Sequence, residues 1–256
     1  MKKKDNKYDS YLFYDKPIPY KELLIYPATM SEYLDFHFYV SCLLLDKNST
    51  PDPKVITMTY LQFLYYISNT TGLPYLYMFK ELLKMVLHID DDGAFYFGLD
   101  ANGKALFKVN NSVYDSSDFD EIVDIIFIQN CIEHIDDTIQ KEVRDAMEKA
   151  EEYKMRTNAY KICSLEDQMI CVLISTPLKL EAIYELSIRK FSKILERVDH
   201  KLHYEIYLGA SMSGLVKFNN DDVIKHWLAD LTKSDKYSDV KVDTDAMRHK
   251  IDEANR

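Results

Sequence analysis

An apolar stripe with the spacing of an α-helix runs through residues 180–202 and limits what this chain can fold into. On a helical wheel at ~100° per residue, its members fall in an arc of roughly 140°. The stripe predicts one long helix over about 179–212, whose apolar face is part of a core or binds a partner. Its members are Leu180, Ile183, Tyr184, Ile188, Phe191, Ile194, Leu195, Val198 and Leu202.

The opposite side of the same helix carries Glu196, His200 and His203 at the spacing i, i+4, i+7. Three such side chains can share a metal ion, but a buried ferritin-type site needs inward-facing Glu and Glu-x-x-His sets on several helices. We therefore interpret the trio as ordinary helix surface. A metal site and a pH-sensitive or partner-contacting surface remain as alternatives.

Composition indicates a globular chain. It has 256 residues, 47% hydrophobic and 29% charged, enough for one large domain or two small ones. No apolar run approaches the ~18–20 residues of a membrane span. The basic start "MKKKDNKYDS" lacks a following apolar region, so we do not expect a signal peptide. The four cysteines form no C-x-x-C pair, which favours reduced thiols in a cytoplasm.

Charge is uneven along the chain. The net charge is −10, and residues 115–152 hold thirteen acids against three bases. An acidic segment of this size repels phosphate backbones, so we expect no nucleic-acid partner. The segment fits a solvated helix face, with a basic protein partner as the alternative.

Aromatic residues separate two parts of the chain. Residues 1–100 hold 20 of the 33 Phe, Tyr and Trp side chains. We predict an aromatic-rich mixed α/β part at 1–112 and a helical part at 113–256, or else one continuous domain. The expected fold class is mainly α with a small β element (α+β).

Local signals predict the following elements. In the first part they are a strand at 20–26, a buried helix from the Thr29–Glu32 capping box to about Leu45, a loop at 46–53, helices at 58–68 and 75–88, and a hairpin around "DANG". In the second part they are a helix capped by Ser117, a surface helix from Ile139, a helix from Ser164 to before Pro177, the long helix ending near Gly214, an extended "LVKF", a helix carrying Trp227, and a last helix capped near Thr244.

Catalytic motifs are missing from the sequence. It has no G-x-x-x-x-G-K-[ST] and no G-x-G-x-x-G, and only six glycines. "HIDDDG" and "GLDANG" fail the calcium-loop pattern and predict turns at the ends of the hairpin. "GASMSG" follows a helix rather than a strand, unlike a nucleophile elbow. We therefore predict no catalytic, cofactor-binding or metal residues and no enzyme, although an unrecognised acid pair stays open.

A family resemblance adds to these observations. "KPIPYKELLIYPATMSEYLDF", "LLDKNSTPDPKVITMTYLQFLYY", "SLEDQ", "SIRKFSKILERVDHKLHYEIY", "ASMSGLVKF" and "IKHWLADL" resemble, in this order, a family of tailed-phage proteins. These proteins belong to phages and prophages of low-GC Gram-positive bacteria and are described as tail assembly chaperones or virion-associated proteins. The resemblance is weakest over 89–115.

The resemblance implies a physical function. Such proteins are thought to cover the aggregation-prone helices of the tape-measure protein until the major tail protein polymerises around it. The expected partners are these two proteins, in the host cytoplasm or the virion, with no membrane and with a homo-oligomer left open. A permanent connector, neck or baseplate protein is the alternative. The expected partner-binding residues are Tyr184, Phe191, Leu195, Val198, Leu202 and Trp227, unless the stripe is only core.

Overall fold

The computed structural model describes most of the chain. Contacts divide it into two compact units, Met1–Val198 and Asp199–Arg256. The first unit contains nearly all of the described structure. The described residues are 7–47, 52–133, 163–214, 216 and 224–229, with the isolated positions 146 and 149.

Helices dominate the described residues, and two small antiparallel sheets accompany them. This confirms the predicted class, mainly α with a small β element. The strands are β1 (Ile18–Tyr20), β2 (Leu23–Ile25), β3 (Phe95–Leu99), β4 (Ala105–Val109) and β5 (Ser112–Tyr114). The helices are α1 (Asp9–Tyr14), α2 (Tyr33–Val40), α3 (Pro53–Thr57), α4 (Tyr60–Thr71), α5 (Tyr75–Leu87), α6 (Ser116–Asn130), α7 (Leu165–Ser175), α8 (Leu180–Glu185) and α9 (Ile188–Met212).

The first sheet is a two-stranded hairpin. Strands β1 and β2 are antiparallel, with Ile18 opposite Ile25, and both of these side chains are fully buried. Lys21 and Glu22 form the two-residue turn, with Lys21 at φ 49. The strand predicted at 20–26 is therefore corrected: the segment contains the last residue of β1, this turn and then β2.

The second sheet has the order β3–β4–β5, all antiparallel. Its first two strands confirm the predicted hairpin. One oxygen of Asp100 accepts the backbone N–H groups of Asn102 and Lys104, both at 2.8 Å, and Gly103 supplies φ 75. A short third strand, β5, was not predicted because its turn at Asn110 places a non-glycine residue at φ 54.

Aromatic rings fill the centre of the core of the first unit. The Phe79 ring lies 5.8 Å from those of Phe97 and Phe107 and 5.0 Å from that of Phe119, measured between centroids. Several aromatic residues of the aromatic-rich first part of the sequence thus pack in the core. The core cluster extends from Tyr8 to Phe191 and so includes residues on both sides of the predicted boundary at 112. The boundary stays a prediction.

Helix α2 is less buried than predicted. The Thr29–Glu32 capping box is confirmed, since the Glu32 carboxylate accepts the Thr29 N–H at 2.8 Å. The α-helix ends at Val40, however, before a 3-10 turn over Ser41–Leu43. Only one face packs against α5, so Leu34 is 74% exposed. An all-round apolar sequence predicted full burial, but the helix has cover on one side only.

The helices predicted at 58–68 and 75–88 are confirmed as α4 and α5. Asp52 caps the unpredicted short helix α3, accepting the Lys54 N–H at 2.9 Å. The predicted cap of α6, Ser117, is wrong. The Asp115 carboxylate accepts the N–H groups of Ser117 and Asp118 at 2.8 and 3.0 Å, so the helix begins after Asp115. The predicted Ser164 cap of α7 is confirmed.

The single helix predicted over 179–212 is wrong at Leu186 and Ser187, where the chain is extended between α8 and α9. The Leu186 carbonyl accepts the Met30 N–H at 2.8 Å, and the Ile188 N–H donates to the Ala28 carbonyl at 2.9 Å. These bonds to a distant segment replace two intrahelical ones. The apolar stripe is therefore divided between two helices.

Ser187 begins the second of these helices. Its hydroxyl oxygen accepts the Lys190 N–H at 3.1 Å, as an N-cap does, and its hydroxyl donates to the Asp15 carboxylate at 2.7 Å. The Lys190 ammonium also donates to the Phe13 carbonyl at 2.7 Å. These bonds join the start of α9 to the end of α1.

The C-terminal predictions have mixed outcomes. Helix α9 ends at Met212, and Gly214 has φ 70, which confirms the predicted helix end. The predicted helix carrying Trp227 is wrong over 224–229, which contain one turn at 227–228 and no helix. Here His226 Nδ1 accepts the Leu228 N–H at 3.2 Å, a side-chain bond that competes with helix formation. The helices predicted from Ile139 and near Thr244, and "LVKF", lie outside the described residues apart from positions 146, 149 and 216.

Candidate partner-binding surfaces

The structure separates the predicted partner-binding residues. Phe191 is 2% exposed and packs in the core, so a partner could reach it only if the core opened. Leu195 and Val198 are half-buried on α9. Tyr184 is exposed on α8. The remaining two residues, Leu202 and Trp227, are exposed in the second unit, Trp227 by 36%.

Two neighbouring helices of the first unit expose apolar side chains together. Ile170 and Ile174 lie four residues apart on α7, and Leu180 and Tyr184 lie four residues apart on α8. Residues at i and i+4 share one face of a helix. Ile174 is 78% exposed. The two helices contact each other, and we call these four side chains the α7–α8 surface.

The inward faces of the same helices explain why these side chains point outward. Met169 and Val172 of α7 and Ile183 of α8 are buried in the core. Helix α7 is apolar on more than one side, and only one side meets the core. The remaining apolar residues are left on the surface, where solvent exposure of several together is typical of binding surfaces.

Acidic side chains flank the α7–α8 surface. Glu166 and Asp167 lie in the first turn of α7, and Glu181 and Glu185 lie on α8, all exposed. Lys179 is the one Lys or Arg among residues 163–187. Four acids and one base give this stretch a net charge of −3.

A further apolar pair lies on α2. Leu34 and Phe38 are both exposed and four residues apart, with the exposed Asp35 between them. Helix α8 packs against the 3-10 turn Met30–Glu32 that leads into α2. Helices α2, α7 and α8 thus each carry an exposed apolar pair spaced four residues apart, and α7 contacts α8.

The described part of the second unit has its own exposed apolar pair. Leu202 and Ile206 lie four residues apart on α9, and both are exposed. The His200 Nε2 lies 3.2 Å from the His226 carbonyl oxygen, and the Tyr204 ring stacks edge-on against the His226 ring at 5.2 Å. These contacts hold the turn that carries Trp227 against the helix within this unit.

The Glu196–His200–His203 trio does not converge on one point. The His203 Nδ1 pairs with the Asp199 carboxylate at 3.3 Å, while His200 lies against His226. Among the residues that the structure describes, no group of three or more His, Cys, Asp and Glu side chains is placed to hold a metal ion.

A shallow cleft of about 380 Å³ lies between α2 and α5. Its lining carries the carboxylates of Glu32, Asp35, Glu81 and Asp90 and one ammonium group, that of Lys84. The Lys84 ammonium lies 3.4 Å from the Glu81 carboxylate and 2.9 Å from that of Asp92, which is outside the lining. Hydrogen bonding to Asp92 raises the pKa of Lys84, and hydrogen bonding to Lys84 lowers the pKa of Asp92. The cleft is therefore predominantly acidic, and its one ammonium group is already paired.

Comparisons leave the family open. The chain matches no protein-family model, no curated protein and no solved structure at a significant level. Within the described ranges, the helices are all too short or too polar to cross a membrane.

The sequence did contain a signal for the α7–α8 surface. The stretch "MICVLI" at 169–174 is apolar at every position, which is more than one buried face of a short helix can use. The longer, more regular stripe at 180–202 predicts partner binding instead. That stripe is regular because much of it packs into the core.

Proposed function

We propose that this chain is a non-catalytic tail assembly chaperone-like protein of a tailed phage, which binds the tape-measure protein, the major tail protein or both in the host cytoplasm. The observation that carries the proposal is the α7–α8 surface, where four exposed apolar side chains lie among acidic ones. The resemblance of the sequence to the phage family supplies the class of partner.

The size of the surface favours a reversible complex. A stable interface buries about 800 Å² on each partner. Two pairs of side chains on two short helices supply only part of such an area. Weak contacts suit a protein that must release its partner when the major tail protein polymerises.

The second unit is proposed to contribute a separate contact. Leu202, Ile206 and Trp227 are exposed there, and Trp is over-represented among residues that dominate binding energy. A Trp227→Ala protein that melts like the wild type but retains less partner would support this contact. A Trp227→Ala protein that unfolds early would assign Trp227 to packing instead.

Co-expression with the tape-measure protein of the same phage tests the function. We expect the chain to keep that protein in the soluble fraction and to be absent from purified virions. A tape-measure protein that precipitates regardless, together with the chain in finished particles, would overturn the chaperone proposal and favour a connector, neck or baseplate component.

A further inference from the structure

We propose that the α7–α8 surface binds an amphipathic helix that carries Lys or Arg beside its apolar stripe. The inference rests on the proposed function in taking the partner to be a protein, and it adds the chemistry by which that partner is recognised. Three features of the surface lead to it: its apolar geometry, the acids around it, and the position of Tyr184.

The apolar geometry fits a helix. Ile170 with Ile174, and Leu180 with Tyr184, each span about 6 Å along their helix, four residues at 1.5 Å per residue. Helices in contact lie about 8–10 Å apart, so one incoming helix of about 10–12 Å diameter reaches side chains of both. A helix satisfies its own backbone hydrogen bonds, which these two helices cannot provide for an extended peptide.

The acids select a basic partner. Glu166, Asp167, Glu181 and Glu185 are exposed on the same two helices as the apolar side chains, and Lys179 is the one opposing charge in the stretch 163–187. Complementary charge around an apolar centre speeds association and excludes wrong partners. A second copy of this surface would bring like charges together. Anionic lipid headgroups and nucleic-acid phosphates are repelled for the same reason.

Tyr184 places an aromatic ring one helical turn from an acid of this surface, Glu181. It lies three residues after Glu181 and one before Glu185, and its side chain is exposed. A Lys or Arg above the ring gains a cation–π contact and is within reach of a carboxylate at the same time. Tyr184 thus serves both the apolar and the charged part of the interaction.

A pair of synthetic helical peptides tests the proposal. Both carry the same Leu residues at helical spacing; one has Lys beside the stripe and the other has Glu at the same positions. Fluorescence anisotropy of the labelled peptides, titrated with the full chain, gives the affinities. We expect the Lys peptide to bind, the Glu peptide to bind at least ~10-fold more weakly, and the difference to shrink as salt rises to about 1 M.

Variants locate the binding. Ile170→Gln with Ile174→Gln should weaken binding of the Lys peptide by ~10-fold or more, because the complex loses two apolar side chains that it would bury. Glu181→Gln with Glu185→Gln should lower the affinity for the Lys peptide by ~1.5- to 5-fold per charge removed. Matched controls lie elsewhere: Ile56→Gln, at the same 47% exposure as Ile170, and Glu121→Gln on α6 should change nothing.

The outcomes separate this inference from the proposed function. Equal binding of both peptides, or equal effects of the control and surface variants, would overturn the inference. It would do so even if the wild type retained the tape-measure protein. Conversely, selective binding of the Lys peptide with no retention of the tape-measure protein would overturn the proposed function and support the inference.

Discussion

Helices α6 and α7 begin alike but differ in how much of each is buried. Each starts at a polar cap with an acid in its first turn, and each is rich in isoleucine. Nine of the fifteen residues of α6 are buried, whereas only Met169 and Val172 are buried among the eleven of α7. Helix α6 packs against α4, β2 and β5, while α7 has its main contact with α8.

The comparison shows that apolar content does not decide whether a helix is core. Neighbours on several sides bury α6, so its apolar residues stabilise the fold. Helix α7 has cover on one side, so its outward residues contribute little to stability and remain available for binding. Substitutions in the two helices should therefore differ in what they change.

The largest expected effect is in α6. Phe119→Ala should lower the free energy of unfolding by ~3–5 kcal/mol, because it removes a ring buried against Phe79 and Tyr60. Ile174→Ala in α7 should lower it by less than ~0.5 kcal/mol. Urea denaturation measures both values. Equal losses would mean that the outward face of α7 is covered.

The acids of the two helices should differ as well. Asp118 of α6 is buried, which opposes its ionisation, but hydrogen bonds from Lys21 and Tyr20 outweigh burial and hold the pKa of its carboxyl below the ordinary value. A lowered pKa in the folded state stabilises the fold above the unfolded-state pKa of about 3.9, and this stability is lost as pH falls through the folded-state pKa.

Asp118→Asn should therefore cost about 1–3 kcal/mol at neutral pH, and the difference from the wild type should shrink below about pH 4. Glu166→Gln, at an exposed acid in the first turn of α7, is the control and should show almost no effect at either pH. Stability curves between pH 3 and 7 measure both. A pH-independent cost at Asp118 would rule out its charge as the cause.

The capping serines extend the comparison. Ser187→Ala should cost about 1–2 kcal/mol, because this buried hydroxyl caps α9 and also bonds to Asp15. Ser164→Ala removes the exposed cap of α7 and should cost about half as much. Thermal melting of the two proteins ranks them. The reverse order would contradict the buried role of Ser187.

The smallest expected effect is on an exposed histidine of α9. His203→Gln should change stability by less than ~0.5 kcal/mol, as exposed substitutions usually do. A chelator should leave the melting temperature unchanged. A fall in melting temperature with either treatment would point to a bound structural metal.

Local signals predicted much of the fold because their causes are local. The Thr29–Glu32 box, the Ser164 cap and the turn at Asp100 each depend on side chains bonding within four residues. Start and stop signals likewise predicted α4 and α5, which are separated by the Gly72–Pro74 turn.

The features that could not be predicted depend on contacts between residues far apart in the chain. The break at Ser187 depends on backbone bonds to Ala28 and Met30, more than 150 residues earlier in the chain. No periodicity within 180–202 contains that information. In the same way, the sequence of α7 alone cannot predict that no other element covers its outward face. The regular stripe therefore suggested a binding surface where, at Phe191, the structure has core.

One measurement tests the binding role of α7 most directly. The Ile170→Gln, Ile174→Gln double variant is compared with wild type for both urea stability and retention of co-expressed tape-measure protein in the soluble fraction. We predict stability within ~0.5 kcal/mol of wild type and a loss of retention, with Ile56→Gln normal in both. Unchanged retention by a folded double variant would contradict a binding role for this surface.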